Sequence, residues 1–491
     1  MKKLYVCSLL LLLAFISVSA QEVSKFQEFR RDVLSRYADH RRDILNRYAD
    51  FLQQSWQRIN AFKGAKRDND LVPKPTLPPT LPSDEPQNVP PVRLPQPDTP
   101  MTPSEPTPQA PLPTLPPIPQ VPTITPAPQL RFTFYGDTLS CRTMTPVLLA
   151  STEEKEIANA WRHYQKSREA TLTAQALRTV ASERGLNDWL TVEMVRTYVE
   201  SLLTAPTATA ERIVLEQFLL VQMGYDVRMA RTERQLLLLV PTQEVFYDQL
   251  YLTFGGQRFY LFKDRLRPID EAAPHYYAYT LPDDANTGRV VSLRFDGERT
   301  LQLHEGYTIH RRLDDGQISL YVSFDRAALE ALRHYPPMDI PDYAQSIVMP
   351  EVHTSIWDQL RSQIEGKSQR EAVMALMHFA QYAFSYATDG DQHGYEKAYF
   401  LEENFYYPKN DCEDRAIFLV TAVRQLLGLQ AHLVQYPGHE CTAIHFTDPT
   451  ITGDGYLYEG QSFIICDPTY VGASIGQCMP NYRNTKPIIE L

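Results

Sequence analysis

From about Val72 to Gln129 the chain is Pro/Thr/Gln-rich and holds more than half of its 38 prolines. Proline removes a backbone donor and fixes φ, so such a run cannot build helices or ladders around a core. It populates extended polyproline II instead. At about 3.1 Å per residue it reaches on the order of 150 Å as an upper limit. The run therefore divides the chain into a short N-terminal piece, a tether at 65–130 and a globular part beginning near Arg131.

The N-terminal piece has two parts. Residues 1–20 read as an export signal: Lys2 and Lys3, the apolar run "LYVCSLLLLLAFISV", then the small residues "SVSA" before Gln21. The run is too short and wrongly flanked for a membrane span, and no second one of about 18 apolar residues follows. An exported chain, periplasmic, cell-surface or secreted, is expected. Residues 21–64 carry a direct repeat, "RRDVLSRYAD" (Arg30–Asp39) and "RRDILNRYAD" (Arg41–Asp50). Its eleven-residue period keeps Leu34, Tyr37, Leu45 and Tyr48 on one helical face. One helix over 22–62 is expected, docked on its own protein, on a partner helix or on a second copy.

The formal net charge of −11 argues against nucleic acid as main partner, because phosphate binding needs concentrated Lys and Arg. Without the signal, five cysteines remain: Cys141, Cys412, Cys441, Cys466 and Cys478. An odd count in an oxidising compartment leaves at least one free thiol.

Helical periodicity marks Glu153–Leu203, Ala210–Met223 and Asp358–Ala387. Strand patterns mark Leu236–Pro241, Leu250–Phe254 and Arg258–Phe262. A second β-rich stretch runs from Arg289 to Asp325, with turn signals at Asp296-Gly297 and Asp315-Gly316. The globular part divides into 131–270, a β-rich segment at 271–335 and a C-terminal core at 336–491. The class is α+β.

The chemistry concentrates in the last unit. In "YYPKNDCEDRAIFLVTAVRQLLG" (Tyr406–Gly428), Asn410 or Asp411 caps a helix that starts at Cys412 and stops at Gly428. Taken alone, Cys412 is a disulfide half, a cap filler or a nucleophile. A helix N-terminus lowers a thiol pKa, while Glu413 and Asp414 oppose that shift, so activation needs an imidazole. "GHECTAIHF" offers His439 at a strand start and His445 at its end. "SFIICDPT" ends a later strand at Asp467. If the two strands are antiparallel neighbours, His439 meets Asp467 and His445 lies about 20 Å away. Cys412, His439 and Asp467 then form a nucleophile, a base and a group orienting the base. The Cys412 N–H serves as one oxyanion donor; Tyr406, Tyr407 and Gln392 are candidates for the second. Cys412, His439, Cys441 and Cys466 lack paired metal-ligand spacing, and no cofactor motif is present.

"NDCEDRA", "GHECTAIHF" and "FIICDPTY" resemble, in that order, the three core motifs of the transglutaminase-like superfamily in its secreted bacterial form. The resemblance covers roughly the last 150 residues. It implies a papain-like core and acyl transfer through a thioester, as a peptidase, an amidase or a transamidase. The implied substrates are peptide, protein or cell-wall peptide. Cys441 replaces the usual aromatic residue two after the histidine. Calcium dependence, known for some relatives, is not signalled by an ordered carboxylate loop.

"AERIVLEQFLLVQMGYDVRMARTERQLLLLVP" repeats the helix–Gly–strand–strand layout, and "GGQRFYLFKD" parallels "EGQSFIICDP". Residues 132–265 are thus expected to be a degenerate copy, with Ala208 or Thr209 for Cys412, the neighbourhood of Arg234 for His439, and Lys263 for Asp467. Two functions compete: a cysteine acyl-transfer enzyme, and a catalytically silent binding or scaffold protein. A third reading places Cys412 in a disulfide.

Overall fold

A computed structural model describes residues 57–59, 128–247, 249–265, 275–278, 288–303 and 307–490. The export signal and most of the repeat helix and tether lie outside these residues. Two corrections fall at their edges. Residues 57–59, assigned to the repeat helix, form a strand, β1 (Gln57–Ile59). It pairs with β8 (Tyr276–Ala278), Gln57 opposite Ala278 and Ile59 opposite Tyr276. A sheet edge offers unpaired backbone groups to any nearby segment, which local periodicity cannot foresee. Residues 129 and 130, assigned to the tether, open β2 (Gln129–Phe134), because its hairpin with β3 (Asp137–Arg142) pairs Gln129 with Arg142.

The first unit stacks α1 (Glu154–Lys166), α2 (Arg168–Glu183), α3 (Asp188–Leu202) and α4 (Thr209–Met223). Helix α4 is buried on nearly every side, as its all-round apolar sequence requires. Its strands are β4 (Arg228–Arg231), β5 (Leu236–Pro241), β6 (Tyr251–Phe254) and β7 (Gln257–Phe262), in the order β1-β8-β4-β5-β7-β6.

The Arg289–Asp325 stretch is less regular than its sequence suggests. Residues 289–303 form no regular strand and touch the first unit through isolated bridges, Tyr225 to Arg289 and Thr242 to Val291. Only Asp315-Gly316 turns a hairpin, between β9 (Thr308–Asp314) and β10 (Ser319–Asp325). Asp296 instead bridges Ile347, so its Gly297 serves a bend between units. Helices α5 (Arg326–Arg333) and α6 (Ile340–Gln345) follow.

The second unit opens with α7 (Pro350–Ile364) and α8 (Gln369–Tyr382), the latter started by a Ser368/Glu371 capping box. The short strands β11 (Ser385–Tyr386) and β12 (Lys409–Asn410) run parallel and flank α9 (Asp389–Gln392) and α10 (Leu401–Tyr406). Helix α11 (Cys412–Ala422) continues as a π turn, Val423–Leu427, to Gly428 in the left-handed region. The sheet of β13 (Gln430–Tyr436), β14 (His439–His445), β15 (Gly455–Tyr458), β16 (Gln461–Cys466) and β17 (Ile488–Glu490) has the order β15-β16-β14-β13-β17. The molecule is mixed α and β, with sheets curled into half-barrels.

The two units share strand order and register. β6-β7-β5-β4 matches β15-β16-β14-β13, every pair antiparallel. Arg228 faces Leu239 as His432 faces Ala443, Leu238 faces Phe262 as Thr442 faces Cys466, and Tyr251 faces Tyr260 as Gly455 faces Ile464. All these rungs keep one constant sequence separation, which also relates Gly224 to Gly428. A buried arginine lies in the first turns of each helix and bonds a carbonyl just past an earlier one: Arg212 Nη1 donates to the Leu203 carbonyl, after α3, at 2.7 Å, and Arg415 Nη2 to that of Phe384, after α8, at 2.7 Å. From arginine to glycine α11 is one residue longer than α4, and its π turn absorbs that residue. Cys412 then matches Thr209, His439 matches Gln235 and Asp467 matches Lys263.

Candidate functional site

Helix α11 packs on β14, with the Thr442 hydroxyl 3.4 Å from the Ala416 carbonyl. The start of the helix is fixed by buried polar groups. Asp411 is its N-cap, and Asp414 accepts from the N–H groups of Asp411 (3.3 Å) and Tyr399 (2.9 Å). Asn410 instead accepts from Arg415 Nε at 3.1 Å. Cys412 is fully buried, its thiol donating to Glu413 Oε2 at 3.1 Å. The N–H of Glu440, the residue after His439, points at the same sulfur.

His439 lies at the mouth of β14, where its Nε2 meets Asp467 Oδ2 at 2.7 Å. The other Asp467 oxygen accepts from the N–H groups of Thr469 (2.9 Å) and Tyr470 (3.1 Å). Gln381, buried on α8, donates to the carbonyls of Asp467, Tyr470 and Ala473 and pins this loop. Tyr482 stacks on the imidazole, ring centroids 5.3 Å apart. His445 is at the opposite end of the strand, bonded to the Ser462 carbonyl at 2.9 Å.

Strand pairing brings one more residue into the group. Thr442 faces Cys466, so the next rung sets Cys441 across from Asp467. His439, Cys441 and Asp467 form a buried Cys-His-Asp cluster whose ligand atoms lie within 4.8 Å of one another. It is compatible with a catalytic triad. Sequence spacing made these strands a poor match for metal, whereas here the donors meet across the sheet and not along the chain.

The electrostatics of Cys412 differ from the helix-dipole expectation. Burial, then the charges of Glu413 and Asp411, push its thiol well above the ordinary range; the Glu440 N–H opposes them. A second cluster stands beside it. Asp389, Asp411 and Glu413 present carboxylate oxygens within 4.8 Å of one another, an all-oxygen set of the kind that suits a hard cation. Burial, Asp414 and Glu413 push Asp389 up to about 9, and Asp411 is raised strongly for related reasons. Cys441 is likewise pushed up, by burial and then by Asp467 and Glu440.

Cys141, Cys412, Cys441, Cys466 and Cys478 are all free thiols, which removes the disulfide reading of Cys412. None of the three candidate oxyanion donors has a described bond to Cys412. Gln392 bonds Tyr399, His393 and the Lys409 carbonyl, Tyr407 stacks on Tyr399, and Tyr406 packs against Phe324. Two phenols feel Cys412, Tyr386 and Tyr482, each raised by burial and then by the charge of that thiol's ionised form. β11 sets Tyr386 opposite Asn410, two residues before Cys412. A two-residue strand carries too little pattern to reveal this in sequence. Gln381 left a readable signal, a polar residue within the apolar run of α8.

The chain matches no protein-family model, no curated protein and no solved structure in comparison with each. No helix among the described residues is long and apolar enough to cross a membrane.

Proposed function

We propose that the chain is an exported cysteine enzyme acting on amide bonds through a thioester on Cys412, in the manner of the papain-like transglutaminase superfamily. The observation that carries this reading is the 2.7 Å His439–Asp467 bond at the mouth of β14, beside the strand N–H that meets the Cys412 sulfur. With Nε2 held by Asp467, Nδ1 is the ring atom left to take the thiol proton. The Sγ–acyl bond forms, the amide C–N bond breaks, and the amine leaves with the proton from His439. Water or a second amine then breaks the thioester. The Cys412 N–H and the Tyr386 hydroxyl are the proposed donors to the oxyanion. Substrates are peptides, proteins or cell-wall peptides.

The silent binding or scaffold reading draws on one observation: Cys412 is fully buried and held protonated on Glu413. Alkylation by iodoacetamide, mapped by peptide mass, separates the two readings. The enzyme reading expects label on Cys412 in the wild type, slowed about 100-fold in His439→Ala, the scale of lost general-base help. His445→Ala should leave the rate unchanged. Label on Cys441 in preference to Cys412 would move the nucleophile, and label on neither would favour the silent protein.

A further inference from the structure

We propose that His439, Cys441 and Asp467 form a zinc-binding site that regulates the chain by withdrawing the imidazole. The three donors are nitrogen, sulfur and oxygen, within 4.8 Å of one another. Zinc takes this mixture at about 2.0–2.3 Å per ligand, which sets neighbouring donor atoms roughly 3.3–3.8 Å apart. Closing to that geometry needs about 1 Å of side-chain movement. The His439–Asp467 pair, 2.7 Å apart in its hydrogen bond, only has to open slightly. A thiolate and a carboxylate supply two negative charges, so a divalent ion is neutralised in a buried place where an excess charge would be costly.

The outer contacts suit the assignment. Asp467 Oδ1 is held by the Thr469 and Tyr470 N–H groups, which orient the carboxylate and leave Oδ2 directed at the ring. Three protein ligands leave a fourth position for water. Binding forms the Zn–S bond and breaks the Cys441 S–H bond. The thiol proton goes to solvent, and the imidazole proton moves from Nε2 to Nδ1. His439 can then no longer take a proton from Cys412, so the consequence rests on the proposed enzyme reading while the binding does not. Leu237 occupies the Cys441 position in the first unit and Gln235 that of His439, so this chemistry belongs to the second unit alone.

Reduced, chelator-stripped full chain is titrated with Co2+ and followed by absorbance, then back-titrated with Zn2+. The expected result is one Co2+ per chain, a thiolate-to-cobalt charge-transfer band and tetrahedral d–d bands, all displaced by Zn2+. The charge-transfer band should vanish in Cys441→Ser and Cys441→Ala and persist in Cys412→Ala; circular dichroism checks that each variant is folded. Absence of the band in the folded wild type, or its loss in folded Cys412→Ala only, overturns the site. If the band forms but Cys412 resists alkylation even without metal, the site stands and the enzyme reading fails. If Cys412 alkylates and no band forms, the reverse holds.

Discussion

At Cys412 two local forces compete. A helix N-terminus favours a thiolate by roughly 0.3–1 kcal/mol at an exposed site. Burying that charge among Glu413 and Asp411 costs several times more, so the thiol is held protonated. "DCED" exposed both forces to sequence reading, yet their balance depends on burial that spacing cannot convey. Removing the Glu413 charge should lower the thiol pKa, so thiolate forms at lower pH. Glu413→Gln is expected to alkylate at Cys412 about tenfold faster than wild type at pH 8. An unchanged or slower rate in a stopped-flow alkylation profile would show that Glu413 does not restrain the sulfur. The meeting of His439 with Asp467, and the helix start at Cys412, were legible because each of these residues lies at the end of an element with a clear pattern or just past it. Tyr386, Tyr482 and Cys441 were not, since their places come from pairing between distant strands.

Among the elements, the β15–β16 hairpin shows what the duplicated layout preserves. Its two turn residues, Glu459 and Gly460, have φ of 49° and 81°. The matching turn between β6 and β7 uses Gly255 and Gly256, at φ of 53° and 82°. Both are two-residue turns with positive φ at each position, which match the twist of the flanking strands. Glutamate bears a steric penalty of about 1 kcal/mol in the left-handed region that glycine escapes. Glu459→Gly should therefore raise the thermal midpoint by about 1–2 °C, the scale of a gain under 1 kcal/mol in a chain this long. A lower midpoint by calorimetry would mean that Glu459 makes contacts outweighing the strain. Gly-Gln before each second strand and the glycine after each helix made the shared layout readable. β1 was missed because its pairing is supplied by a sheet edge more than two hundred residues away in sequence.

Across the whole molecule, the two units are joined by one apolar core that runs from Phe132 through Phe218 and Phe400 to Ile475. The first unit retains the frame and the buried Arg212, which pairs with Asp264 at 3.1 Å through Nη2, but carries Thr209, Gln235 and Lys263 at the three site positions. Any acyl transfer must therefore belong to the second unit. The shared layout of the two units was readable in the sequence, whereas their packing into one core was not, because no local pattern encodes which helix faces meet. The central claim is that Cys412 accepts an acyl group with help from His439. Its most direct test is an acid-quenched reaction with p-nitrophenyl acetate, followed by peptide mapping of the acetyl group. The account predicts acetyl on Cys412 in the wild type and roughly 100-fold slower acetylation in His439→Ala. Acetyl on Cys441, or acetylation of Cys412 at equal rates in both proteins, would contradict it.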